Sequence, residues 1–391
     1  MHIDVNNAFL SWTAVDLLKQ GYKYDIRNSY AVIGGDPEKR TGIVLAKSIP
    51  AKKLGVVTGE TLYNAKKKCP SLKSYPANHK LYGIMSKSFI DLLKKYTPDI
   101  EQVSIDECFI DYGKVKNLYG EEMKFAHRVQ KEIFDTLGFT VNVGIANNKL
   151  CAKMASDFSK PNKIHTCYDY EAKEKMWPLD VSELFGVGRK SSLKLKEIGI
   201  NTIGDLANTE VTKLTKYFKN QSQYLIDIAN GISTDEVDSS YSEPKGIGNE
   251  ITLDHDVYNK DELEYYLLEL SEQVAGRLRA QNKFASVIAV TIKDTFFKRK
   301  SHQKKLVNAT DITNEIYELS KKILSEIDIS DGVRLIGIRL DQLSNNLIHQ
   351  VSLFEDIEDK TTNKELDKIV DTLKNKYGTK IINKASLAKK K

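Results

Sequence analysis

The sequence predicts an α+β protein of several domains, and three observations carry that expectation. Apolar residues alternate at Phe139, Val141, Val143 and Ile145, the period of a half-buried strand, while Met123–Leu137 and Lys87–Lys95 show helical spacing. Residues 172–231 change character and read as short helices broken at Gly186, Gly188, Gly199 and Gly204. Beyond a polar stretch at 232–248, which holds Pro244, Gly246 and Gly248, a strand–helix–strands–helix–strand pattern begins.

Composition narrows the class. With 391 residues, 41% hydrophobic and 29% charged, the chain has a core of ordinary size and is too apolar to be disordered. The formal charge of +6 is a mild basic bias that says little about partners by itself. Cys69, Cys108, Cys151 and Cys167 form no C-x-x-C pair and no dense framework, so reduced buried thiols and a cytoplasmic location are expected. No run approaches the roughly 20 apolar residues of a membrane helix. Met1-His2-Ile3-Asp4 also lacks the basic start of a secretion signal. Membrane, secreted and fibrous classes are therefore set aside, and a monomer is the default.

The elements follow in order. Asp4 closes a short apolar start and precedes Val5-Asn6-Asn7-Ala8-Phe9-Leu10-Ser11-Trp12, a strand turning into a helix. Three residues before Asp4 make a short strand, so either a neighbouring strand compensates or the chain starts further upstream. Asp106 and Glu107 lie within Gln102-Val103-Ser104-Ile105-Asp106-Glu107-Cys108-Phe109-Ile110, whose apolar flanks imply burial. Adjacent ionised carboxylates in such a run repel unless a cation lies between them, and hard oxygen donors suit Mg²⁺. Alternating side chains let both acids reach one site only near a strand end or bend. Past the linker, a strand at Glu250–Leu253 precedes a helix with Leu263, Leu267, Leu270, Val274 and Leu278 on one face. A strand at Ser286–Lys293, a basic hairpin, a helix through Ile312, Ile316, Leu319 and Ile323, and a strand at Val333–Leu340 complete a four-stranded α+β domain. The tail from Asp356 is charged, with one helix near Lys364–Tyr377 and a mobile far end.

Two charge runs stand out. Lysine or arginine occupies positions 39, 40, 47, 52, 53, 66, 67, 68, 73 and 80, against Glu60 alone. A second run at 293, 298, 299, 300, 304 and 305 faces only Asp294. One such run is usually a solvated face; two distant ones fit a phosphate backbone held from two sides.

Ile3-Asp4-Val5-Asn6-Asn7-Ala8-Phe9 and Ser104-Ile105-Asp106-Glu107 resemble the two acidic motifs of the Y-family translesion DNA polymerases. The block from Val143 through Asn147-Asn148-Lys149 and Lys153 to Ser159-Lys160-Pro161-Asn162 resembles a third, and Ala51-Lys52-Lys53-Leu54-Gly55-Val56 with Gly59 resembles the fingers segment. The resemblance runs from Met1 to about Phe354 and is nearest the bacterial polymerase IV and polymerase V catalytic group. It implies a right-hand architecture: palm at 1–18 and 77–165, fingers at 19–76, a helix-hairpin-helix thumb at 166–231, a linker at 232–248, an α+β little finger at 249–345, and a clamp-binding motif and charged tail at 346–391.

By the same resemblance Asp4, Asp106 and Glu107, with the Val5 carbonyl, hold two Mg²⁺ ions for nucleotidyl transfer from dNTPs to a primer 3′-hydroxyl. Phe9 falls at the steric gate that excludes a 2′-hydroxyl, and Lys160 at the triphosphate lysine. Lys52 stands where the family has an arginine, because the usual Tyr-x-Ala-Arg is here Ile49-Pro50-Ala51-Lys52. Asn6 replaces a second acid and is given no metal role. Gly186 and Gly188 match the thumb hairpin that lets backbone N–H groups approach a DNA phosphate. Lys298, Arg299 and Lys300 fall on the basic sheet that lies along the duplex. Gln350, Leu353 and Phe354 resemble the peptide that fills a groove on the bacterial sliding clamp. The function implied is error-prone, template-directed translesion synthesis on primer–template DNA. A non-catalytic DNA-binding relative that recruits the clamp is the alternative, and the intact acids argue against it. A nucleotide cyclase on a similar palm, suggested by Gly34-Gly35-Asp36, gives no purpose to the hairpin or the second basic domain.

Overall fold

The structure, a computed structural model, describes residues 1–35, 42–240, 243–346, 357–378, 381–382 and 384–387. They divide into two compact units, one ending at residue 240 and the other beginning at 243, a division inside the stretch read as linker.

The first unit runs β1 (His2–Val5), α1 (Ala8–Lys19), β2 (Ala31–Gly34), β3 (Val44–Lys47), α2 (Ile49–Lys53), α3 (Leu62–Lys68), β4 (Lys73–Pro76), α4 (His79–Leu93), β5 (Ile100–Gln102), β6 (Glu107–Ile110), α5 (Lys116–Tyr119), α6 (Glu122–Leu137), β7 (Val141–Ile145), α7 (Lys149–Asp157) and β8 (Ile164–Thr166). Five of these strands form one sheet in the order β5-β6-β1-β7-β8, with β1 antiparallel to both neighbours. Both edges of the four-residue β1 are thus paired, which is how so short a strand becomes the centre of the sheet. Ile3 and Val5 pack with Trp12, Phe89, Phe125 and Phe139 in the core beneath it. β7 was expected half-buried, yet all five of its residues are buried, because α7 lies directly on it. Gly144 permits that approach: a Cβ there would fall 1.9 Å from the Ala152 carbonyl oxygen. A second, three-stranded sheet (β3-β2-β4) has its own small core of Val32, Val44, Leu62 and Ala65.

Short helices follow: α8 (Ala172–Lys175), α9 (Arg189–Glu197), α10 (Ile203–Ala207), α11 (Val211–Phe218) and α12 (Ser222–Ala229). Their core includes Leu150, Cys151, Met154 and Ala155, so α7 serves the sheet with one face and the helical cluster with the other. Residues 232–240, read as linker, are fastened to this unit: Lys149 Nζ bonds both oxygens of Glu101 (2.8 and 2.7 Å) and the Glu236 carbonyl (3.2 Å), and the Asp238 N–H donates to Glu101 (2.8 Å).

The second unit comprises β9 (Gly246–Val257), α13 (Lys260–Ala280), β10 (Phe284–Asp294), β11 (Arg299–Thr310), α14 (Thr313–Ser325), β12 (Val333–Ser344) and α15 (Ile357–Tyr377). The expected four strands are present in the antiparallel order β11-β10-β12-β9. β9, β10 and β12 run longer than the spans expected for them, the basic hairpin supplies β11, and β9 reaches back into the linker stretch at Gly246. Leu263, Leu267, Leu270, Val274 and Leu278 of α13 all pack into the core, as their spacing requires. The tail helix α15 is docked. Arg279 pairs with Asp371 (2.6 and 3.0 Å) and Asp367 (3.0 Å), and Asp367 also accepts the Thr313 N–H (2.8 Å). Ile312, at the N-cap of α14, has no side-chain acceptor of its own, so α15 supplies the cap from outside.

Candidate nucleotidyl-transfer site

The β1–β6 register sets Asp4 directly opposite Glu107. Asp106 sits one residue before β6, in the turn that joins it to β5, and its carbonyl accepts the Val5 N–H (2.9 Å). The Asp-Glu pair therefore occupies a bend, where neighbouring side chains need not point to opposite faces. Val103 departs from the expected burial and is 49% exposed, because the run before Asp106 is a hairpin turn and not a strand interior.

Electrostatics show the strain of gathering these acids. Burial, and then the Asp4 and Glu107 charges, push the Asp106 carboxyl above its ordinary value, although Ser104 Oγ donates to it at 2.7 Å. The His2 ring and the Lys153 ammonium facing Glu107 hold that carboxyl down at about 2. His2 is fully buried, with Nδ1 2.8 Å from Ser156 Oγ and a pKa lowered by burial. Lys153 Nζ lies 2.5 Å from Glu107 and 3.4 Å from Asp4. Lys160 Nζ lies 2.8 Å from Asp4 and 2.8 Å from Asp157. Burial alone would lower both lysines, but the facing carboxylates outweigh it and raise them.

Lys153 faces two of the candidate acids and was given no role in the sequence analysis. A signal was there: it stands four residues before Asp157, one helical turn, and seven before Lys160. As donors, the three carboxylates suit a hard divalent cation, and the raised Asp106 marks a cost that such a cation would relieve. Among the described residues no three His, Cys, Asp or Glu side chains form a ready-made metal cluster. The two lysines supply the positive charge there.

Known proteins resemble this chain over most of its length. Residues 3–157 match the impB/mucB/samB family model and residues 244–353 match that family's C-terminal domain. DNA polymerase IV of Clostridium acetobutylicum is 45% identical over 390 residues, covering 100% of this chain and 98% of that protein. The chain belongs to the Y-family DNA polymerases. DNA polymerase IV 2 of Bacillus subtilis is 36% identical over 371 residues, covering 93% of this chain and 89% of its own length. Among solved structures, a Y-family DNA polymerase chimera of Dbh and Dpo4 shares the fold with a TM-score of 0.77 at 24% identity, covering 88% of this chain and 99% of its own. The insertion ternary complex of Dbh DNA polymerase gives a TM-score of 0.58 at 26% identity, again over 88% and 99%. The right-hand architecture of palm, fingers, thumb and little finger is therefore that of this polymerase.

The remaining expected residues are distributed over the polymerase as follows. Phe9, the second residue of α1, stacks on Tyr82 of α4 with ring centroids 4.4 Å apart and planes 8° from parallel. Lys52 is exposed on α2; together with burial, its charge lowers the pKa of Lys47, whose Nζ donates to Thr58 (3.0 Å). Gly186 adopts φ +95°, while Gly188 precedes α9 with nothing within 4 Å of where a Cβ would stand. In the second unit the basic run is less bare than its sequence count. Arg299 forks onto Glu250 (2.7 and 2.8 Å), Lys300 Nζ donates to the Asp328 carbonyl (3.1 Å) near Asp331, and Lys304 pairs with Glu326. The Lys298 N–H caps onto Asp294 (2.9 Å). Arg299 and Glu250 stand on opposite edge strands and meet over Gly337, in a groove of about 420 Å³ that Arg339 also lines. Gln350, Leu353 and Phe354 lie outside the described residues. Among the described residues no helix is long and apolar enough to cross a membrane.

Proposed function

We propose that the chain is an error-prone, template-directed DNA polymerase for translesion synthesis, with Asp4, Asp106, Glu107 and the Val5 carbonyl holding two Mg²⁺ ions. The observation that carries this reading is the direct cross-strand pairing of Asp4 with Glu107, with Asp106 in the adjoining turn. Two Mg²⁺ ions bound there would lower the pKa of the primer 3′-hydroxyl and neutralise the departing pyrophosphate. The chain's own part is positioning: carboxylates fixed by the β1–β6 register, Lys160 for the β/γ-phosphates, and Lys52 with Lys47 on the fingers as diffuse positive charge in place of a bidentate arginine. Phe9, braced flat on Tyr82, is the steric gate that excludes a 2′-hydroxyl.

The five-stranded sheet is the palm (1–18 and 77–165), the three-stranded sheet the fingers (19–76), the helices at 166–231 the thumb, and the second unit the little finger (249–345). Gly186 and Gly188 bring thumb backbone to a phosphate, and Lys298, Arg299 and Lys300 face the duplex. Gln350, Leu353 and Phe354 are the residues that the bacterial sliding clamp would take, and the enzyme acts as a monomer in the cytoplasm. Primer extension on an abasic template tests the translesion reading. Extension past the lesion is expected, and a stop one nucleotide before it on a template otherwise copied would refute it.

A further inference from the structure

Asn6 stands where the family usually has an acid, and its side chain is only 6% exposed. Its Nδ2 donates to Asn142 Oδ1 (3.0 Å), while its Oδ1 accepts from Thr140 Oγ1 (3.0 Å) and from the Asn162 N–H (2.8 Å). Asn142, fully buried in β7, completes the arrangement. Its Nδ2 donates to the carbonyls of Ser156 (2.8 Å) and Ser159 (2.6 Å), and its Oδ1 accepts the Lys163 N–H (3.1 Å) as well as the Asn6 amide. Two side chains, Asn6 just past the end of β1 and Asn142 on β7, thus hold the main chain of Ser156, Ser159, Asn162 and Lys163, where the chain leads from α7 into β8. Lys160 is carried in the middle of that stretch.

The orientation of each amide is forced. Backbone N–H groups only donate and carbonyls only accept, so Asn142 must direct its nitrogen at Ser156 and Ser159 and its oxygen at Asn6. Position 6 must therefore offer an N–H. An aspartate has none, and would set two oxygens against each other at 3.0 Å in a buried place.

We propose that Asn6 and Asn142 are positioning residues for the incoming nucleotide: they fix the Ser156–Lys163 stretch and thereby the place of the Lys160 ammonium, 2.8 Å from Asp4. Neither touches the nucleotide; both act through Lys160. The inference rests on the reading of Lys160 as the triphosphate lysine.

Single-nucleotide incorporation by the full chain on primer–template, with Mg²⁺ and one dNTP, tests it in wild type, Asn6→Asp, Lys160→Ala and the double variant. Asn6→Asp is expected to raise the KM for dNTP roughly tenfold or more, with a smaller change in kcat and an unchanged Kd for primer–template. The double variant is expected to be no worse than Lys160→Ala alone, the mark of two residues acting through one group. Thr140→Val, which removes one donor to Asn6, must raise KM by less and show the same coupling; it carries the test if Asn6→Asp does not fold. An unaltered KM in Asn6→Asp beside a raised one in Lys160→Ala overturns the proposal, as do independent, multiplying effects. An unaltered KM in Lys160→Ala removes the triphosphate reading, and this inference with it.

Discussion

Lys160 Nζ lies 2.8 Å from Asp4 Oδ2: the lysine assigned to the triphosphate rests on a carboxylate assigned to the metal. Lys153 repeats the relationship with Glu107 at 2.5 Å. Two ammonium groups thus offset carboxylates that would otherwise repel one another at the end of a buried strand pair.

Lys153→Met takes away one of those charges while keeping much of the packing volume. In EDTA the variant should lose about 1–3 kcal/mol of stability, the cost of leaving a part-buried charged group without its partner. Mg²⁺ should then raise its melting temperature more than that of wild type. Thermal melts with and without Mg²⁺ check both, and equal Mg²⁺ shifts would contradict the reading.

Glu250 holds both arms of Arg299 (2.7 and 2.8 Å) and, on the proposed duplex-facing sheet, would compete with DNA phosphate for it. Glu250→Gln should tighten primer–template binding roughly two- to fivefold, as expected for an exposed pair, and steepen its salt dependence. Arg299→Ala should do the reverse. Fluorescence anisotropy at several salt concentrations measures both.

The Glu107 carboxyl, held at about 2 against an ordinary 4.5, links folding to pH. A depressed carboxylate pKa contributes stability that is full above about 4.5 and is lost as pH falls toward about 2. In EDTA, the urea midpoint of Glu107→Gln should therefore fall less steeply between pH 5 and pH 3 than that of wild type, a window taken from the cited shift. Parallel curves would sink this assignment.

The two thumb glycines should behave differently. Gly186→Ala forces a side chain into φ +95° and should cost about 1–2 kcal/mol. Gly188→Ala meets open space at an ordinary φ and should leave stability within about 0.5 kcal/mol, while weakening DNA binding if backbone approaches phosphate there. Melting curves and DNA titrations of the pair separate the backbone strain at Gly186 from a close phosphate approach at Gly188.

What the sequence carried and what it withheld follow from range. Apolar periodicity marked α6 and α13, because burial on one face writes itself into neighbouring residues, and apolar runs marked β9, β10 and β12; β11, mostly polar and exposed, showed only as a basic hairpin. Periodicity could not show β1 as the centre of the palm sheet, since a four-residue strand gains its place from partners more than 100 positions away. Local counting likewise saw a basic run at Lys298–Lys300, whereas folding brings Glu250, Asp328 and Asp331 to it. Asp4, Asp106 and Glu107 were legible as motifs. Lys153 and Asn6 matter through contacts that only the fold makes: Glu107 across the sheet for one, the turn beyond α7 for the other.

Single-turnover incorporation on an undamaged template, comparing wild type with Asp106→Ala, bears most directly on the proposed metal site. Asp106→Ala should bind primer–template as wild type does and lose template-directed incorporation by a factor of about a thousand or more. Incorporation within severalfold of wild type, by a variant that binds DNA normally, would contradict the assignment of Asp4, Asp106 and Glu107 as the seat of catalysis.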